Sequence, residues 1–185
     1  MIEFPCQHTQ EEAVFPYYSA VKTVAELMCC SAITAPKGKG VNLLYTKIFE
    51  GTEKDQVADL MEKIGREKEI PFFVRDAANV RDSLLVVFIG TEVKPRGVPF
   101  CGFCGFENCE KSQAAGAYCA YAVGDLGIAI GSAVKVASDN NVDNRIMFSF
   151  GKAAIEGGFV PESVKLGYGI PLSVSGKNIF FDRKR

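Results

Sequence analysis

Six consecutive apolar residues, Leu84 to Ile89 (LLVVFI), constrain this chain more than any other segment. The run is too short for an isolated helix, is rich in β-branched and aromatic side chains, and ends at Gly90. With no polar position in its period, it predicts a strand covered on both faces. Apolar layers must therefore flank it on each side. At 185 residues the chain can bury such a core without disulfide or metal staples, and it is expected to form a single domain over 1–185.

The flanking segments supply those layers. Thr9 with Glu12 reads as a capping box, and Val21, Val24, Ala25, Leu27 and Met28 then recur at helical spacing from about Pro16 to Ile33. Ala35-Pro36-Lys37-Gly38-Lys39-Gly40 stops that helix. Val41 to Phe49 alternates as a strand, with Leu43, Tyr45, Lys47 and Phe49 on one side and Leu44, Thr46 and Ile48 on the other. Thr52 with Asp55 is expected to cap a second helix to about Arg66, with Val57, Leu60, Met61 and Ile64 inward. Phe72-Phe73-Val74 is a short apolar piece, and the charged group Arg75, Asp76, Asn79, Arg81 and Asp82 reads as ion-pair scaffolding in a loop. A long Ala/Gly-rich helix is expected from about Lys111 to Ser138 and a short one over Lys152 to Glu156. Val164 to Gly169 reads as the last core strand. These elements predict an α+β layered domain.

Several classes of function find no support. The formal net charge is −1, so nothing marks a nucleic-acid surface, and Arg183-Lys184-Arg185 reads as a solvated tail. The first residues lack a basic region followed by an apolar run, so no secretory signal is expected. Ala117 to Ala137 is apolar enough to suggest a membrane span, but Asp125 near its middle favours a buried helix of a cytoplasmic protein. His8 is the sole histidine and has no acid or nucleophile pattern beside it.

The chemistry is concentrated in cysteine. Seven cysteines, an odd number, argue for reduced thiols rather than a disulfide framework. Cys6 and the pair Cys29-Cys30 stand apart, the pair on a helix expected to bury and silence it. Cys101, Cys104, Cys109 and Cys119 fall within residues 98–119, VPFCGFCGFENCEKSQAAGAYC, at spacing C-x2-C-x4-C-x9-C. Such a loop can converge four thiolates on one metal centre, and Gly102 and Gly105 let its backbone turn sharply. Four-cysteine zinc sites usually pair two separated C-x2-C knuckles, whereas only one pair here has that spacing. The pattern favours an iron–sulfur cluster, with a zinc-stabilised interaction module as the alternative.

C-x2-C-G-x3-C followed by a distant cysteine on an Ala-rich segment resembles the four-iron domain of corrinoid iron–sulfur proteins and of the Rnf electron-transport B subunit. More of the chain is similar to an uncharacterised bacterial and archaeal family that contains a ferredoxin domain. The matching stretches are TAPKGKGV (34–41), FFVRDAANVRDS (72–83), CGFCGFENC (101–109), DLGIAIGSAVKVA (125–137), VDNRIM (142–147) and GIPLSVSGKNIFFDR (169–183). These resemblances imply a [4Fe–4S] cluster and electron transfer with a redox partner protein or a small-molecule electron donor.

The segment after Asp125-Leu126-Gly127, ending in GFVPESVKLGYGIP, is also similar to the second half of flavin-dependent nitroreductases. That likeness implies a nitroreductase-like fold and places Lys37 and Lys39 where those enzymes hold the phosphate of FMN. The chain lacks their arginine-rich opening and inserts the cysteine loop. Nitroreductases are intertwined dimers, and Ala120, Gly124, Gly127 and Gly131 give the long helix a small-residue face suited to close packing within the core, across a homodimer seam or against a flat cofactor.

Overall fold

The computed structural model describes residues 17–181. The Thr9–Glu12 cap, Cys6, His8, the helix start at Pro16 and the tail Arg183-Lys184-Arg185 lie outside the described residues.

The apolar run becomes β2 (Leu85–Thr91), and all of its residues are buried. It lies inside a four-stranded antiparallel sheet with β1 (Leu44–Glu50), β3 (Asp143–Asn144) and β4 (Leu166–Ser173), in the order β1-β2-β4-β3. Leu44 opposes Thr91 across β1 and β2, and Leu85 opposes Leu172 across β2 and β4. Side chains alternate along β2, so each face receives its own apolar set. Leu85, Val87 and Ile89 face α1 (Tyr18–Thr34) and the long helix α5 (Ala120–Asp139). Val86 and Phe88 face α2 (Gly51–Glu67), α3 (Pro71–Arg81) and α6 (Phe148–Glu156). The alternation in β1 is as expected: Leu44 and Ile48 join the first layer, and Tyr45 and Phe49 the second.

Three local expectations are corrected. No side chain caps α2; it starts directly from Glu50 at Gly51, leaving Thr52 inside the helix. Phe72-Phe73-Val74 and the charged group after it form α3, with Pro71 at its first turn and Phe73, Asp76, Ala77 and Val80 inward. The expected helix over 111–138 is two helices, α4 (Cys109–Ala114) and α5, separated at Gly116, whose φ is +66°.

The charges of α3 act as scaffolding, as expected. Arg75 pairs with Asp76 at 2.8 Å, the buried Asp76 carboxylate accepts the Ser149 hydroxyl at 2.7 Å, and Arg81 reaches Asp59 and Glu62. Beyond α5, Asp143 accepts a bond from Asn178 at 2.9 Å.

The buried stripe of α5, with Ala122, Asp125, Leu126, Ala129, Ile130 and Ala133, packs on α1 and the sheet. Gly124, Gly127 and Gly131 lie on the other side and are exposed, with open space where a Cβ would stand. The small-residue face therefore plays no part in packing within the chain's core. Val123 and Ile128 beside it are 45% and 49% exposed. By length and composition α5 could cross a membrane, yet Asp125 in its first half is buried in an ion pair.

Candidate metal centre and adjoining cleft

The cysteine segment occupies the connection between β2 and α5. Its stem runs along Val93 to Gly97, and its return is stitched to that stem where the Cys119 amide donates to the Val93 carbonyl at 3.2 Å. Left-handed backbone at Phe100, Gly102 and Gly105 (φ +54°, +60° and +81°) coils the loop between them. Asn108 then caps α4 by accepting the Lys111 amide at 2.9 Å, which sets Cys109 on the first helical residue. A helix rises about 1.5 Å per residue, so an unbroken helix would have carried Cys119 some 15 Å beyond Cys109. The break at Gly116 returns the chain instead. Cys119 becomes the N-cap of α5, and Cys101, Cys104, Cys109 and Cys119 all line one cavity of about 270 Å³.

The donor set fits a metal–sulfur group. Among the described residues the cysteines, Cys29, Cys30 and these four, are free thiols. The cavity is many times the space one water needs, and besides the thiols it is lined by glycine and apolar residues together with Glu107 and Asn108. Among the described residues no three His, Cys, Asp or Glu side chains are gathered as a metal-holding group, so the thiols surround the cavity without closing on a centre. Cys104 is hydrogen-bonded to the Ser112 hydroxyl at 3.5 Å, and Ser112 is itself buried. Bonding to Ser112, aided by the Phe106 backbone, draws the Cys104 thiol below its ordinary pKa and favours the thiolate that binds metal. Cys29 behaves oppositely: burial pushes its thiol up, towards the inert form. Its neighbour Cys30 is exposed rather than covered.

A second cavity, of about 380 Å³, shares Ala120 with the first and has Phe103 in its own wall. Pro36, Lys37, Gly38, Tyr121, Gly124, Asp125 and Ile128 complete its lining. The Phe103 ring stacks on Tyr121 at 5.6 Å between centroids and 5° between planes. The Lys37 ammonium is directed at the end of α1, donating to the Ala32, Ile33 and Ala35 carbonyls at 3.2, 2.5 and 2.7 Å. Loss of hydration lowers its pKa, against the pull of Asp125. Lys39 is left-handed at φ +56° and donates to the Gly97 carbonyl at 3.2 Å. The two lysines thus sit at the cleft and at the loop stem respectively.

Sequence reasoning missed Ser112, the Phe103–Tyr121 stack and the partner of Asp125. The last was open to inference, because a carboxylate on the buried stripe of a helix requires a buried donor. That donor is Arg96, at 3.0 Å.

A family model described as an uncharacterised protein containing a ferredoxin domain matches residues 115–183. An uncharacterised protein of Archaeoglobus fulgidus is 39% identical over 176 residues, covering 88% of this chain and 91% of that one. The chain belongs to this ferredoxin-domain family. This chain has the nitroreductase fold. Nitroreductase CinD of Lactococcus lactis, solved in complex with nicotinic acid, aligns with a TM-score of 0.59 at 11% identity, over 87% of this chain and 84% of that one. The FMN-dependent nitroreductase NfnB of Mycobacterium smegmatis, solved with NADPH, aligns at 0.56 and 11% identity, over 84% and 78%. A nitroreductase with bound FMN from Desulfitobacterium hafniense aligns at 0.54 and 13% identity, over 95% and 83%. The ferredoxin domain in the family's description supports a redox role.

Proposed function

We propose that this protein is a cytoplasmic iron–sulfur electron carrier, holding one [4Fe–4S] cluster through Cys101, Cys104, Cys109 and Cys119 on a nitroreductase-like, single-domain body. The observation that carries the reading is the shared cavity, reached by cysteines from a loop, a helix start and a helix N-cap. When bound, the cluster supplies one-electron transfer. The chain's part is to deliver thiolates, which the Ser112 bond to Cys104 favours, and to leave one side of the loop accessible to a redox partner protein or a small electron donor. Phe100 and Phe103, strongly exposed beside the cavity, mark that side. Zinc in the same four thiols, as an interaction module, is the competing outcome.

Anaerobic purification with metal analysis and a visible spectrum tests the reading. Iron with broad visible absorption is expected, and Cys104→Ala should remove most of it. Zinc alone, or undiminished iron in the variant, sinks the proposal.

A second reading adds FMN, favoured by the cleft beside α5 and by the FMN that related folds hold. Lys39, held by a single carbonyl, would offer a charge to the phosphate; the Gly38 amide, now on Asp125, the Gly40 amide, now on the Lys37 carbonyl, and the Lys37 ammonium, now on three carbonyls, would do so only by leaving those partners. The two centres would let a two-electron donor feed one-electron steps. Denatured protein should release flavin fluorescence, or the stripped protein should bind FMN saturably; neither result leaves the carrier alone. The exposed Gly124, Gly127, Ile128 and Gly131 face of α5 supports a homodimer, and a monomer by light scattering at micromolar concentration excludes it.

A further inference from the structure

We propose that Asp125 and Arg96 are a positioning pair, locking the stem of the cysteine loop to the helix that carries Cys119. The inference rests on the cluster reading for its purpose and on independent geometry for its substance. Arg96 lies in the stem, five residues before Cys101, and Asp125 lies six residues into α5 beyond Cys119. Their side chains are 1% and 4% exposed and meet at 3.0 Å from Nε to Oδ2.

The other bonds of the pair end on the loop stem, on the end of β2 and on the turn after α1. Arg96 donates to the Lys94 carbonyl at 3.0 Å and reaches the Thr91 hydroxyl at the end of β2, at 3.5 Å. The second oxygen of Asp125 accepts the Gly38 amide at 2.9 Å, fixing the turn after α1. A Cβ on Gly38 would stand 2.9 Å from the Tyr121 ring, so the held turn also seats Tyr121 under Phe103. One carboxylate thus joins α5, the turn and the loop stem. A burial this complete leaves either group uncompensated when its partner is lost. Short apolar contacts would serve if the pair merely filled space. A fork aimed at a stem carbonyl and at α5 instead sets the register between Cys101–Cys109 and Cys119, on which convergence of four sulfurs depends.

The test uses Asp125→Asn, which keeps an acceptor for Gly38 but removes the charge, and Arg96→Lys, which keeps the charge but removes the fork. In iron-free protein, hydrogen exchange of residues 93–121 should quicken at least threefold in Asp125→Asn, with α2 and α3 unchanged. In iron-loaded protein, both variants should release iron to a chelator at least threefold faster. The cluster potential should move positive in Asp125→Asn, where Arg96 is left uncompensated, and stay near wild type in Arg96→Lys. A purely structural pair would loosen all helices together and leave the potential alone. Folded variants with wild-type exchange over 93–121, or wild-type iron release, overturn the proposal. If Asp125→Asn does not fold, Arg96→Lys decides by exchange and release. A wild-type protein that holds no iron defeats the cluster reading, while the exchange comparison still judges the lock.

Discussion

Glycine means different things in the layered body and in the cysteine loop. A Cβ at Gly151 would stand 1.9 Å from the Gly167 carbonyl oxygen, and one at Gly169 would stand 2.3 Å from the Phe150 ring. There, α6 and β4 lie so close that no side chain fits at these two positions. In the loop, a Cβ at Gly105 meets nothing within 4 Å, yet φ is +81°. The body spends glycine on proximity and the loop spends it on direction. Apolar packing therefore holds the first region, and backbone conformation with a few hydrogen bonds holds the second.

Gly151→Ala probes the body, where the largest effect is expected. The added methyl meets backbone, which cannot rotate away, so unfolding free energy should fall by about 3 kcal/mol or the variant should fail to fold. Urea denaturation measures it. A loss below about 1 kcal/mol would mean that α6 slides freely on β4 and that the contrast is overstated.

Gly105→Ala should cost less, about 1 kcal/mol, through the left-handed conformation alone. Asparagine tolerates that conformation better, so Gly105→Asn should retain more stability and more iron than Gly105→Ala despite its larger side chain. The reverse order would show that space, not backbone direction, governs the loop.

The smallest effect belongs to the edge of the body. Glu50 accepts bonds from the Tyr18 hydroxyl and, at 3.1 Å, from Lys22, and the Tyr18 bond foremost holds its carboxyl below the usual value. A depressed carboxylate contributes stability above its unfolded pKa of about 4.3 and loses it as pH falls through the lower folded value. Tyr18→Phe should therefore reduce stability at pH 7 and flatten its decline below about pH 4. The side chain is 40% exposed, so screening by water limits the change to less than about 1 kcal/mol. An unchanged acid limb in thermal melts at pH 3 to 7 would remove this contact from the account.

The same division explains what the sequence disclosed. Leu84 to Ile89 and the alternation of β1 were legible because burial acts on every residue of a strand in a fixed period. The cysteine spacing was legible because ligand chemistry restricts residue type. The helical nature of α3 was hidden by its charges, since Arg75, Asp76 and Arg81 look like loop residues until Phe73, Ala77 and Val80 are counted at helical spacing. The break at Gly116 was hidden because alanine and glycine continue on both sides of it, and one backbone angle decides the outcome. The Asp125–Arg96 pair is long-range, joining residues 29 apart, and no local pattern specifies its partner.

The two ends of the cysteine segment meet, with the Cys119 amide on the Val93 carbonyl. A segment that leaves and returns at one point behaves as a cartridge in a socket. Its length can change at small entropic cost to the remainder, since doubling a loop adds only about 0.6 kcal/mol. The body beneath need not be rebuilt when the cartridge is exchanged. A nitroreductase-like sheet could thus acquire, trade or shed a metal-binding insert between β2 and α5 while keeping both of its apolar layers.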